Sequence, residues 1–327
     1  MLGGTLNNLN ETSPGQITET TIEAESTPEK PDFVKKIESF DMDNLTPENI
    51  EFMTKTIQDY FLENFPVKPE LVSQFPNRIS ILDNTEYAKI RNELDIPEDN
   101  TGFYSSRYHK IFINQSAYKT PGGLFATMLH EALHFTSIGA GAGFTGEFDD
   151  STVPESYDPQ ITSGINTLVE GTTQLITYYT VTSGMGFDRT KDMESYDPEC
   201  YIMDAVWWPF PRDERLHSYF QMSMDDLRNH INRVFTPNET DDDTDIKNGA
   251  FVDCLYNLGL ATENMTKAIE SWEDTYNEGE EILKDIRHAI GYYIVQNCKI
   301  NHKVLSPEDK EDLSEYLEPY LEEENDV

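Results

Sequence analysis

The residues in this chain best suited to chemistry are two histidines one helical turn apart, with a glutamate directly after the first: His130-Glu131-Ala132-Leu133-His134. On a helix each residue turns about 100°, so both imidazoles project from nearly the same face and can grip a single zinc ion. Glu131 stands to one side of that face, placed to take a proton from water on the ion. The surrounding segment is apolar: Thr127-Met128-Leu129 precede the motif, Phe135 follows it, and Glu131 is the only charged side chain between Leu124 and Thr136. A stray charge in a buried helix beside a cleft is costly, so its absence suits the motif. Thr120 is placed to cap the helix, Pro121 suits its first turn, and Gly139 can close its far end. A buried amphipathic helix whose histidines satisfy core hydrogen bonds has the same pattern, so a third ligand has to separate the two readings.

Catalytic zinc usually takes three protein ligands and keeps a fourth position for water. Ser137 and Ala140 stand where a longer histidine-rich motif would need glycine-spaced residues and a third histidine, which excludes that variant. The better donor is Glu170. Around it Ile165, Leu168, Val169, Thr172, Leu175 and Ile176 recur at helical spacing and bring its carboxylate close to an apolar face. A carboxylate there needs a partner, although a solvated acid at the edge of the stripe fits the same spacing. Gly171 beside it would cost up to about 1 kcal/mol in an ordinary helix, which close approach of another helix would explain. Asp149 and Asp150 rank below Glu170, because loop aspartates are commonly turn formers.

His-Glu-x-x-His on one helix, followed some tens of residues later by Val169-Glu170-Gly171-Thr172-Thr173 on a second, resembles the gluzincin branch of the zincin metallopeptidases. The likeness covers about residues 75 to 200, and its specific motifs lie on the two helices. It implies an α+β, zincin-like fold, with a small N-terminal sheet, a zinc helix and a mostly α-helical C-terminal lobe. It also implies that His130, His134 and Glu170 are zinc ligands and that Glu131 is the general base. Where the best-known members place asparagine before the glutamate, this chain has Val169. In zincins the strand just before the zinc helix edges the cleft and can pair with an extended substrate, and Lys110 to Asn114 holds that position here; an ordinary core hairpin is equally compatible.

With 327 residues, 37% of them hydrophobic and 11% aromatic, the chain can build a sizeable core. Its 24 basic against 61 acidic residues give a net charge of −37, which opposes nucleic acid and anionic membrane surfaces as partners. Such acidity could favour cationic peptide substrates, but a heavily solvated surface accounts for it more readily. Cys200, Cys254 and Cys298 are odd in number and widely spaced, so they read as buried thiols. No cysteine precedes His130, which argues against the peptide deformylase type of site. Met1 to Gln16 has neither a basic start nor an apolar core, and no later run reaches membrane-spanning length, so a soluble cytoplasmic protein is expected, with non-classical export left open.

Residues 1–35 are rich in Thr, Glu, Pro and Asn and are expected to stay disordered. A zincin-like domain is expected over 36–305, as an N-terminal lobe at 36–139 and a helical lobe at 140–305, followed by an acidic peripheral helix and tail at 306–327. Thr46-Pro47-Glu48 opens a helix carrying Ile50, Met53, Ile57, Phe61 and Phe65. Arg78 to Leu82 reads as a strand, Glu86 to Leu94 as a helix, and Gly102 to Asn114 as extended chain. Ala140 to Pro159 reads as an irregular loop, and the apolar spacing is helical over Met224–Phe235, Ile246–Leu258, Met265–Tyr276 and Ile282–Asn297. Asp241 to Asp245 lacks the glycine and closing glutamate of a calcium loop.

The expected chemistry is zinc-dependent hydrolysis of a peptide bond in a peptide or protein substrate, with Tyr157, Tyr178, Tyr196 and His217 as candidates to stabilise the oxyanion. Two alternatives stay open: a catalytically inert, zinc-stabilised binding protein, and a protease inhibited by its own tail or by the loop at 140–159.

Overall fold

A computed structural model describes residues 29–98, 100–105, 107–137, 159–188, 197–207 and 212–221, with parts of 255–266 and residues 307 and 310. The fold set out below belongs to the unit Pro31–Val327. It is α+β and mostly helical, with one three-stranded sheet among the described residues.

Helix α1 spans Asp32–Glu38 and begins inside the stretch 1–35 expected to be disordered. Val34 and Ile37 are fully buried, an apolar pair that the polar composition of the wider segment conceals. Helix α2, Pro47–Asn64, starts as its residues predict: the Thr46 side chain accepts from the Asn49 amide, and the Asn49 side chain accepts from the Thr46 amide. Its stripe of Met53, Ile57 and Phe61 is buried in the main core. Helix α3 is Pro69–Gln74, strand β1 is Ile79–Leu82, and helix α4 is Asn84–Glu93, capped by Asp83. Strands β2, Gly102–Ser105, and β3, Lys110–Asn114, form a hairpin.

The strand order is β1-β3-β2, with β1 parallel and β2 antiparallel to β3. Lys110 to Asn114 is therefore the central strand, and the expected edge position passes to β2. Ile111, Phe112 and Ile113 are all buried, the mark of a strand covered on both faces. Ile111 and Ile113 join the main core with helix α5, while Phe112 packs with Tyr87 of α4 and Phe103 of β2 in a second cluster.

Helix α5, Pro121–Ser137, carries the histidine pair. As its sequence predicts, the Gly123 amide donates to the Thr120 hydroxyl at 3.1 Å, while Gly139 lies outside the described residues. Every residue from Gly122 to Ser137 except Thr127 is buried, so the helix runs through the core. The Glu170 segment is helix α6, Pro159–Asn166, then a π-helical stretch, Thr167–Gly171, then helix α7, Thr172–Tyr179, with a second π-helical stretch, Thr180–Gly184. Helices α8, Asp197–Trp207, and α9, Arg212–Gln221, pack beside them.

Gly171 does meet another helix. A Cβ added there would stand 2.5 Å from the Glu199 carbonyl oxygen and 2.7 Å from its carbon, both backbone atoms of α8. Alanine gains up to about 1 kcal/mol of helix propensity and loses roughly 1–3 kcal/mol or more to overpacking against backbone. Gly171→Ala is therefore expected to lower the thermal midpoint by several degrees; a midpoint at or above the wild-type value would show that α8 yields freely.

The loop at 140–158, the stretches Met224–Phe235 and Ile282–Asn297, most of Ile246–Leu258, all of Met265–Tyr276 except Thr266, and nearly all of the tail at 306–327 lie outside the described residues. The described end of Ile246–Leu258 is helical. Among the described residues no helix is long and apolar enough to cross a membrane.

Candidate metal centre

Two helices bring three donor atoms together. His130 Nε2 lies 3.1 Å from His134 Nε2 and 3.1 Å from Glu170 Oε2, and His134 Nε2 lies 3.2 Å from the same oxygen. The histidines come from α5, and Glu170 comes from the π-helical stretch before α7. All three expected ligands thus converge, and among the described residues they are the one group of histidine, cysteine or acidic side chains able to hold a metal ion.

The hydrogen bonding shows what this triangle needs. His130 Nδ1 is 3.0 Å from Gln174 Oε1, an acceptor only, so the proton of a neutral ring sits on Nδ1. Nε2 then turns a lone pair toward a second imidazole nitrogen and a carboxylate oxygen. Electron pairs gathered at this distance repel unless a proton on His134 or a metal cation lies among them. Ligands 2.0–2.2 Å from a tetrahedral zinc stand about 3.3–3.6 Å apart, so the triangle is only a few tenths of an ångström tight and matches angles near 100°. A buried His-His-Glu donor set therefore fits a divalent cation.

The surroundings tune these groups. Burial pushes the Glu170 carboxyl up, but His134 and His130, in the state in which they carry protons toward it, outweigh burial and hold the group well below the usual carboxylate range. Glu131, 5% exposed, is shifted the other way. Burial raises it and the Glu170 charge adds to the rise, against the pull of His130 and His134 and a hydrogen bond from the Tyr104 backbone. A carboxyl so placed readily takes up a proton.

Glu131, His134 and Glu170 line a small open cleft together with Asn100, Gly102, Phe103 and Tyr104. The backbone of β2 explains how its side of the cleft is presented. The Asn114 amide donates to the Thr101 carbonyl, so in the antiparallel register Thr101, Phe103 and Ser105 turn their backbone groups toward β3, while those of Gly102 and Tyr104 face outward. The outward Tyr104 amide is the one bonded to Glu131. Asn100 is oriented by the Tyr87 hydroxyl, which donates to its Oδ1 at 2.6 Å.

Of the four oxyanion candidates, Tyr157 and Tyr196 lie outside the described residues. Tyr178 sits on α7 with its ring against Tyr179, and His217 is exposed on α9 with Nδ1 2.8 Å from Gln221 Oε1; neither lines the cleft. Four other residues belong to the site without having been anticipated: Gln174, Asn100, Tyr104 and Tyr87. Gln174 alone left a signal in the sequence, as a polar residue four positions after Glu170 on a stretch that buries its apolar side. Contacts to Asn100, Tyr104 and Tyr87 depend on strand pairing and have no local signature.

No family model, curated protein or solved structure matches this chain. Its chemistry rests on the geometry of the site.

Proposed function

We propose that this chain is a zinc-dependent metallopeptidase of the gluzincin type, with a zincin-like fold, in which His130, His134 and Glu170 hold the ion and Glu131 is the general base. The observation that carries this reading is the meeting of three lone-pair donors at 3.1–3.2 Å, with a fourth, proton-accepting carboxylate on the wall of the same cleft. A zinc ion held by His130, His134 and Glu170 would supply Lewis acidity, which polarises a carbonyl and acidifies water at neutral pH.

The protein's own groups account for the rest. Gln174 holds the His130 ring so that Nε2 faces the other donors. Glu131 takes the proton of the attacking water and delivers it to the leaving nitrogen, and its upward-shifted carboxyl suits the protonated interval. The outward amide and carbonyl of Gly102 offer an extended peptide the backbone of an edge strand. Peptide or protein is thus the substrate class that the cleft suits.

Three donors without a fourth acidic, histidine or cysteine ligand among the described residues support an open, catalytic coordination over a closed one. The direct test is removal of the metal. Dialysis against a chelator is expected to abolish cleavage of a mixed peptide library, and about one equivalent of zinc per chain to restore it. Tight zinc binding with no cleavage of any peptide would leave the inert, zinc-stabilised binding protein as the better reading.

A further inference from the structure

Three buried threonine hydroxyls surround Glu170, and each ties its segment to a different neighbour. Thr167 Oγ1 meets Thr262 Oγ1 at 2.6 Å, Thr172 Oγ1 accepts from Trp207 Nε1 at 3.0 Å, and Thr173 Oγ1 meets the Tyr219 hydroxyl at 2.8 Å. The third tie differs from the other two. Tyr219 is fully buried on α9, and its hydroxyl also bonds the side chain of Ser137, the last residue of α5. Ser137 in turn donates to the carbonyl of His134 at 2.8 Å, and Thr173 lies three residues after Glu170 and reaches the Val169 carbonyl at 2.8 Å. One phenol oxygen therefore stands between the last turn of α5, which begins with the second histidine, and the turn that carries the glutamate.

We propose that Tyr219 is a positioning residue for the metal: by joining Ser137 of α5 to Thr173 of α7, its hydroxyl sets the separation of His134 from Glu170. The inference rests on the metal-centre reading above and needs no peptidase activity. Its physical basis is two-sided bonding. A phenol hydroxyl donates one hydrogen bond and can accept another, so Tyr219 closes both contacts when Ser137 or Thr173 turns its own proton from its backbone carbonyl to the phenol oxygen. A phenylalanine at 219 fills the same space and removes only this joint.

The test compares zinc affinity, measured by competition with a chromogenic chelator, and the absorption bands of the cobalt-loaded protein, in Tyr219→Phe, Ser137→Ala and a control, Thr54→Val. Thr54 is buried on α2 and donates to the Ile50 carbonyl of its own helix, so its variant reports a lost buried hydroxyl away from the ligands. Tyr219→Phe and Ser137→Ala are expected to weaken zinc by about 10–100-fold, as loss of outer-shell partners does, and to shift the cobalt bands, while Thr54→Val does neither. If Tyr219→Phe does not fold, Ser137→Ala alone carries the comparison. Affinities within twofold of the control and an unmoved cobalt spectrum would overturn the role of Tyr219. A wild-type chain that binds neither metal would overturn the metal centre instead.

Discussion

Glu131→Gln is expected to leave a protein that still binds about one zinc per chain and no longer cleaves peptides. The Glu131 carboxylate is not among the three converging donor atoms, so replacing it with an amide of the same shape spares the ion. What is lost is a base within the cleft. General acid–base catalysis contributes typically about 10²–10⁴-fold, which at 1.36 kcal/mol per tenfold is roughly 3–5 kcal/mol of barrier. Zinc analysis and a cleavage assay on one preparation read both halves of the result. Retained activity would assign the base elsewhere, and loss of zinc together with activity would make Glu131 part of the metal's support. The amide cannot accept the Tyr104 backbone hydrogen bond as strongly as a carboxylate does, so a small shift of β2 is expected in the variant, and the unchanged zinc content controls for a larger one.

Glu170→Ala is expected to remove most of the stabilisation that zinc confers. A ligand that binds only the folded chain stabilises it by RT ln(1 + [L]/Kd), about 4 kcal/mol at a thousandfold excess over Kd. Losing an outer-shell partner weakens a site by about 10–100-fold, and losing a ligand costs at least the upper figure. At the same zinc concentration the gain then falls to about 1.4 kcal/mol. With roughly 2–4 °C per kcal/mol for a domain of this size, the zinc-induced rise in thermal midpoint shrinks from roughly 8–16 °C to about 3–6 °C. Calorimetry with and without zinc measures it, whether or not a substrate is known. An equal rise in both proteins would mean that the two imidazoles bind zinc without the carboxylate, and would remove the structural basis of the gluzincin reading.

Much of the site was legible because its signals are local. The helical spacing of His130 and His134, the cap at Thr120 and the apolar run around Glu131 act within a few turns of chain, and α5 forms as they predict. The same holds for Glu170, where a glycine next to a carboxylate on an apolar stripe announced a close helix, realised as α8. Of the two readings open for Lys110 to Asn114, a strand edging the cleft and an ordinary core hairpin, the structure has the second, and β2 borders the cleft. An alternating or apolar run shows that a strand exists, but its neighbours are chosen by pairing with distant chain, and Ile111, Phe112 and Ile113 drew β3 to the middle of the sheet. Helix α1 was missed because two buried side chains, Val34 and Ile37, are outweighed by polar residues in any window long enough to judge disorder.

The sequence by itself determined which side chains can serve a metal and on which helix faces they ride, because helical periodicity is a property of consecutive residues. Tertiary structure alone decided that Glu170 Oε2 comes within 3.2 Å of both imidazoles, that Gln174 settles the proton of His130, and that β2 supplies the amide held by Glu131. Those distances are set by how the helices and strands pack, through Gly171 against α8 and the buried hydroxyls of Thr173, Tyr219 and Ser137, and packing between residues far apart in the chain leaves no periodic trace to read.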